Sequence, residues 1–475
     1  MVKTRREKNL PLTTRTPRTC CPLSKYRFVL VCEVRGLLFL FIFIFVCFNL
    51  SAQTINLEQA REMGLANSKS LKKYEMAIKS SVLDEKNQLY SMLPQVSADY
   101  RASSHYMRNW ELVSPIDTFT TGASISITQI IFQGGKSFVQ RAISKIATES
   151  VRIDAQVEYF KVIDEIDSTY FAVLEASAAM KAEEVTLKAA DLGLAIAQVR
   201  RESGMINQGD YLKALADKES RENSFNQARR GLALNMTRFK TLTGIKNTPE
   251  LEQIDFTSYE EALSRLSGIS DEDAEVLFES FWKIITKNSP ALSKAALNNQ
   301  RAEKSHTLVI RDLAPTIRAT IFSADVNFMA PDRLSSANQG GVSITGSIPV
   351  DFWVFANRLE KSKLTLESAS IDYENSVNSI EQELRSALSS SFSQAGTVLS
   401  SRNSLEYTEK HFEFVMERYR LSQSSVSDLT EATSLFINSQ NNLNRASYSF
   451  LQSLSKLRSL CAFEDESELI KILTE

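Results

Sequence analysis

Two aspartates stand where a carboxylate could act. Asp210 closes the break Ser203-Gly204-Met205-Ile206-Asn207-Gln208-Gly209-Asp210, and Asp428 closes Leu421-Ser422-Gln423-Ser424-Ser425-Val426-Ser427-Asp428, 218 positions later. An acid just after a turn commonly serves as a helix N-cap. Carboxylates beside a low-dielectric constriction instead focus a field that favours cations over anions. Both readings stay open on the residues alone. Other reactive types are dispersed: His105 lies in a strand pattern and His306 and His411 on helical faces, so no metal set is expected. Gly134-Gly135 lacks the Gly-Lys-Ser/Thr of a phosphate loop and reads as a strand-to-helix turn. Cys461 has no His-Asp context and reads as an ordinary buried thiol. With no catalytic constellation, neither enzyme activity nor a cofactor is expected.

The elements that would carry the two acids are long. From Lys136 to Thr243 the chain is proline-free and helical in pattern, interrupted only at Ser203 to Asp210. The arm opened by Gly134-Gly135 and closed by Gly204 makes a rod of roughly 100 Å at 1.5 Å rise per residue. Ile146, Ile153, Val157, Phe160, Ile163, Ile166, Tyr170 and Val173 keep three- and four-residue steps along it, a seam that wants a partner helix. The pattern returns from Asn357, with Leu366, Ala369, Tyr373, Val377, Ile380, Leu384, Leu388, Phe392, Ala395 and Leu399 as its seam.

Ahead of each hairpin lie period-two runs. Val96, Ala98, Tyr100 and Ala102 alternate with Ser97, Asp99, Arg101 and Ser103; Thr121, Ala123, Ile125 and Ile127 alternate with Gly122, Ser124, Ser126 and Thr128. The second copy carries Ile317, Ala319 and Ile321, a less regular stretch where Phe322 breaks the alternation, then Val342, Ile344, Gly346 and Ile348. Upstream, 57–93 reads as one helix ended by Leu93-Pro94. Asn288 to Leu292 echoes Asn67 to Leu71, and Ala314-Pro315 echoes Leu93-Pro94, both at a spacing of 221. The chain is a tandem duplication.

The first 52 residues differ from the rest. A basic segment precedes the apolar run Gly36 to Phe48, which ends in Leu50-Ser51-Ala52-Gln53 and reads as a secretory signal cleaved after Ala52, with translation starting nearer Val29 or Val34 and an uncleaved signal anchor as the alternative. Cys47 follows bulky Val46, a poor lipidation context. Without this leader the 55 basic and 57 acidic residues become 46 and 55, an acidic balance that argues against nucleic acid. Cys461 is then the one remaining cysteine, so no internal disulfide forms. The expected organisation is a signal at 1–52 and a first repeat at 53–246, with strand pair 95–128 and hairpin 136–243. A polar connector at 247–274 leads to a second repeat at 275–460, with strand pair 316–350 and hairpin 357–460, and a tail at 461–475.

Strands that leave no edge are one of two ways across a membrane, and four are too few to close a barrel. Trp110 and Tyr106 suit either an interfacial aromatic girdle or lone surface aromatics. The order signal, helix, Leu-Pro, strand pair, Phe132-Gln133-Gly134-Gly135, long helix, Gly204 turn, Asp210 and helix, all repeated, resembles the outer-membrane efflux proteins of the TolC family over about 57–460. The resemblance implies a mainly α fold with a β-barrel part. It would be a homotrimer whose twelve-stranded barrel in outer-membrane lipid continues into a periplasmic α-helical barrel closed at its far tips. It implies a passive exit duct, for efflux or type I secretion, served by a periplasmic adaptor and an inner-membrane transporter. The alternative is a secreted or signal-anchored coiled-coil scaffold without a pore.

Carried over residue by residue, the tip positions are Gly204, Asp210, Tyr419, Ser422, Asp428 and Glu431. Three copies of Asp210, Asp428 and Glu431 around one axis would select cations; a solvated helix face is the other reading of Glu431. Ser422 replaces the family's second tip glycine, and Ser424 stands where the family has a gate arginine, which leaves Arg418 or Arg420 to supply the lock. The second strand pair runs into Phe352-Trp353-Val354-Phe355-Ala356-Asn357 without Gly-Gly, so its turn into the helix must differ.

Overall fold

The computed structural model describes residues 54–107, 116–330 and 333–474, without side chains for 105–119 and 326–337. The leader, Trp110 and the side chain of Tyr106 lie outside these. Short β1 (Thr54–Ile55) precedes α1 (Leu57–Asn67) and α2 (Lys69–Tyr90); β2 (Gln95–Met107) and β3 (Ile116–Phe132) form the first strand pair; α3 (Lys136–Glu202) and α4 (Gln208–Thr243) form the first hairpin. After β4 (Glu250–Leu251) come α5 (Glu260–Ser267), α6 (Asp271–Asn288), α7 (Pro290–Ile310), β5 (Thr316–Ala330) and β6 (Arg333–Ser347). The second hairpin is α8 (Phe352–Arg420) with α9 (Val426–Cys461), followed by α10 (Glu466–Thr474).

The expected single helix over 57–93 is two helices. Ser68 leaves helical angles with ψ 118°, and its Oγ accepts from Leu71 N at 3.3 Å to cap α2. Asn67 is drawn aside because its amide donates to Thr241 O (3.2 Å) and Leu242 O (2.9 Å), supplying carbonyls left open at the end of α4. The same break recurs at Ser289, where Pro290 opens α7.

The strands pair antiparallel in the order β2-β3-β5-β6, so β3 and β5 join the two repeats. Register places Val96, Ile127, Ile321 and Val342 in one cross-strand row, and all four are exposed. The opposite face carries Ser97 on Ser126 (2.8 Å) and Thr128 on Thr320 (3.2 Å) through hydroxyl hydrogen bonds. Phe322 does not interrupt β5, contrary to the irregularity expected there. It falls on the polar face, where its ring lies over Gly341, and a Cβ at that glycine would come within 3.2 Å of it.

The two strand-to-helix junctions differ. Gly134 and Gly135 both hold positive φ, 63° and 76°, and a Cβ on either would overlap Ala314 or Arg311, whose guanidinium donates to Gly134 O at 3.1 Å. The second junction needs no glycine. Asp351 O accepts from Val354 N (3.0 Å) and Phe355 N (3.1 Å), so α8 starts at Phe352 rather than at 357.

The arms α3 and α8 hold 67 and 69 residues, roughly 100 Å each. Their seams are buried in the middle and again near the tips. Val157 departs from the expected seam and is 41% exposed, and Leu366 and Tyr373 are only partly covered. The connector and tail are not simply polar. α5 buries Ala262, Leu263 and Leu266, and α10 buries Leu469 and Leu473, with Arg265 donating to Leu473 O at 3.0 Å. These two short helices belt the waist, where the main core gathers Ile166, Tyr170, Phe171, Phe239, Phe281, Leu384, Phe450 and Leu454.

Candidate functional site

The two hairpin tips lie together. Ala197 of α3, Ala214 of α4, Val415 and Tyr419 of α8, and Val426, Leu429 and Ala432 of α9 form a second, smaller core under both turns. The first turn depends on Gly204 at φ 73°, with open space where a Cβ would sit. The second has Ser422 at φ 63°, the same left-handed conformation on a residue that disfavours it.

Neither aspartate is the N-cap. The caps are Asn207, whose Oδ1 accepts from Asp210 N at 2.8 Å, and Ser425, whose Oγ accepts from Asp428 N at 3.2 Å. The acids therefore stand three residues into α4 and α9, where the helix dipole favours negative charge. Asp428 also completes a capping box, accepting from Ser425 N (3.0 Å) and Ser424 Oγ (2.9 Å). Those bonds, the backbone one first, hold its carboxyl below the ordinary value of 3.8. Asp210 is half-buried, whereas Asp428 and Glu431 are exposed on one helical face, three residues apart.

Tyr419 is fully buried and donates through its hydroxyl to Gly193 O at 3.1 Å. Burial raises its phenol pKa, Arg200 opposes that, and the charge of Asp210 adds to it. Ser424 contributes its carbonyl and hydroxyl within the turn. Within the single chain, Arg418 donates to Gln423 O of its own turn (3.0 Å), and Arg420 pairs with Glu417 (3.8 Å). The arginine that reaches across is Arg200 of α3. It is 7% exposed, donates to Tyr419 O and, at 3.4 Å, to Ser424 O, and stacks 4.4 Å from the Tyr419 ring centroid. Lys213 of α4 also reaches Ser427 of α9.

A second polar cluster lies at the waist. Asp167, fully buried, accepts a bidentate pair from Arg61 (2.7 and 2.8 Å), a bond from Arg458 (2.8 Å) and one from Ser455 Oγ (2.8 Å). Glu466 of α10 joins Arg61 at 3.4 Å and accepts the Tyr259 hydroxyl at 2.7 Å. Asp164 accepts from Ser455 (3.1 Å) and Ser459, yet burial outweighs those bonds and raises its pKa. Among the described residues, no group of three or more His, Cys, Asp or Glu could hold a metal ion, and no helix is long and apolar enough to cross a membrane.

Residues 61–245 and 283–462 match the family model for outer membrane efflux proteins. The chain belongs to this family. Like other outer membrane efflux proteins it is a channel of the outer membrane that extends into the periplasm, in a family of transport channels rather than enzymes. It is 19% identical over 451 residues to outer membrane protein TolC of Escherichia coli (strain K12), spanning 90% of this chain and 86% of that one. The efflux-channel fold recurs in the CmeC outer membrane channel of Campylobacter jejuni (TM-score 0.66, 19% identity, 88% and 89% of the two chains). It recurs also in CusC (TM-score 0.70, 14% identity, 87% and 95%). A pore-free scaffold does not account for this membership.

Arg200, Arg61, Asp167 and Arg458 were not singled out from the sequence, though all but Arg61 carried a signal. Asp167 falls in step with Ile163 and Tyr170, Arg458 with Leu451, Leu454 and Cys461, and Arg200 with Gly193 and Ala197. A charge on an apolar stripe must be paired once buried.

Proposed function

We propose that three copies of this chain close one twelve-stranded barrel and one periplasmic tunnel, gated where the paired tips meet the axis. The observation that carries this is the open sheet. Its exposed apolar row of Val96, Ile127, Ile321 and Val342 suits lipid, yet β2 and β6 leave two unpaired edges, which hydrocarbon does not tolerate. Three copies supply twelve strands and pair every edge. The helices point the same way: α2 buries no residue in the single chain. Expected boundaries carry over as a working division into a first repeat at 53–246, a connector at 247–274 and a second repeat at 275–460.

In this reading Asp210, Asp428 and Glu431 ring the narrow end, Tyr419 braces the second tip, and Gly204 and Ser422 let the turns close. A periplasmic adaptor and an inner-membrane transporter supply energy and bias the tips between closed and open states. Detergent-extracted protein should have the mass of three chains and insert into planar bilayers as a small conductance. A monomeric mass, or no conductance from the pure protein, would end this reading.

A further inference from the structure

The buried stripe of α3 runs through Ala189, Gly193 and Ala197 and then meets a cation, Arg200, in the last turn of the helix. The guanidinium serves the partner hairpin rather than its own. Tyr419 O and Ser424 O, its two acceptors, bracket the turn of the second tip, and the Tyr419 ring lies against its face. Two turns up α3, the Tyr419 hydroxyl donates to Gly193 O, where a Cβ would come within 3.2 Å of Leu429. Tyr419 thus joins the hairpins twice, through its carbonyl and through its hydroxyl, in addition to the Lys213–Ser427 contact. Among the described residues, the backbone of the first turn receives no side chain from the second hairpin.

We propose that Arg200 is the latch of the closed tip, holding the second turn against the first hairpin. This rests on the reading that the tips are the gate. A planar guanidinium spans two carbonyls and stacks on a ring at once, which an ammonium does not do. Its acceptors are neutral carbonyls, so outward movement of the second tip leaves no buried carboxylate behind, and water replaces the lost bonds. The lock therefore sits on the first hairpin, although the second turn itself carries Ser424.

The test compares assembled wild-type channel with Arg200→Ala, Arg200→Lys and Tyr419→Ala in planar bilayers. Removing a charge-assisted contact of this kind should move the closed-to-open ratio roughly tenfold or more. Arg200→Ala should raise time-averaged conductance accordingly, with Arg200→Lys between it and wild type. If Tyr419→Ala opens the channel while assembled Arg200→Ala conducts like wild type, the tip gate stands and the latch is wrong. Should Arg200→Ala fail to assemble, Arg200→Lys decides, and wild-type conductance in it overturns the latch. If no variant changes conductance, the tip-gate reading fails and takes the latch with it.

Discussion

The waist and the tips hold helices together by different means. At the waist a large aromatic and aliphatic core surrounds a buried ion cluster in which Asp167 satisfies two arginines, and α5 and α10 wrap the outside. At the tips the core shrinks to seven buried residues, and the contacts between hairpins are an arginine on backbone carbonyls, a tyrosine on a glycine carbonyl and a lysine on a serine. Breaking an ionic cluster strands buried charge, whereas breaking carbonyl contacts exposes groups that water can serve. The difference suits a rigid collar at mid-length and a two-state end.

Five substitutions test this contrast. The largest effect belongs to Asp167→Asn, which leaves Arg61 and Arg458 short of charge. It should lower stability by about 3 kcal/mol in detergent melts while leaving conductance in bilayers unchanged; a stable variant with altered gating would reverse the assigned roles. Tyr419→Phe follows, since Gly193 O then loses its donor. The closed tip should weaken by about 1–2 kcal/mol, read as several-fold higher conductance with little change in the melt.

Next come the two left-handed turn residues. Ser422→Gly should stabilise the closed second tip, and Gly204→Ala, entering open space, should destabilise the first by a similar amount, each about 1 kcal/mol. Equal and opposite shifts in open probability would show that the tips share one gate; a response confined to one substitution would separate them. The smallest effect belongs to Asp164. Its pKa is raised by burial, so its contribution to stability is fully present below the ordinary value of 3.8 and is lost as pH rises through the folded-state value. Asp164→Asn should leave stability at pH 7 unchanged or slightly higher and lose more stability than wild type on acidification, because the contribution Asp164 makes at low pH is gone. A large loss at pH 7 would place Asp164 in the cluster beside Asp167.

Period-two alternation made the strands legible because one face must be apolar, and Gly204 and Gly244 end helices by backbone angle alone. The break at Ser68 was not legible, since it depends on Asn67 reaching carbonyls at 241 and 242, far along the chain. Phe322 misled for the converse reason: the glycine that accommodates its ring is on the neighbouring strand. The acids of the tips were visible as residues after turns, but their caps, Asn207 and Ser425, were not separated from them. Arg200 was hidden by the expectation that a lock for the second turn lies in the second turn.

The central claim is that cargo passes the constriction formed by the tips. It is tested most directly by the reversal potential across a potassium chloride gradient, measured for wild type and for Asp210→Asn, Asp428→Asn and Glu431→Gln combined. Asn keeps an acceptor oxygen at each helix start while removing the charge. Wild type should be cation-selective, and the triple variant should lose that selectivity while retaining conductance. Selectivity equal in both would place the constriction elsewhere and contradict the account.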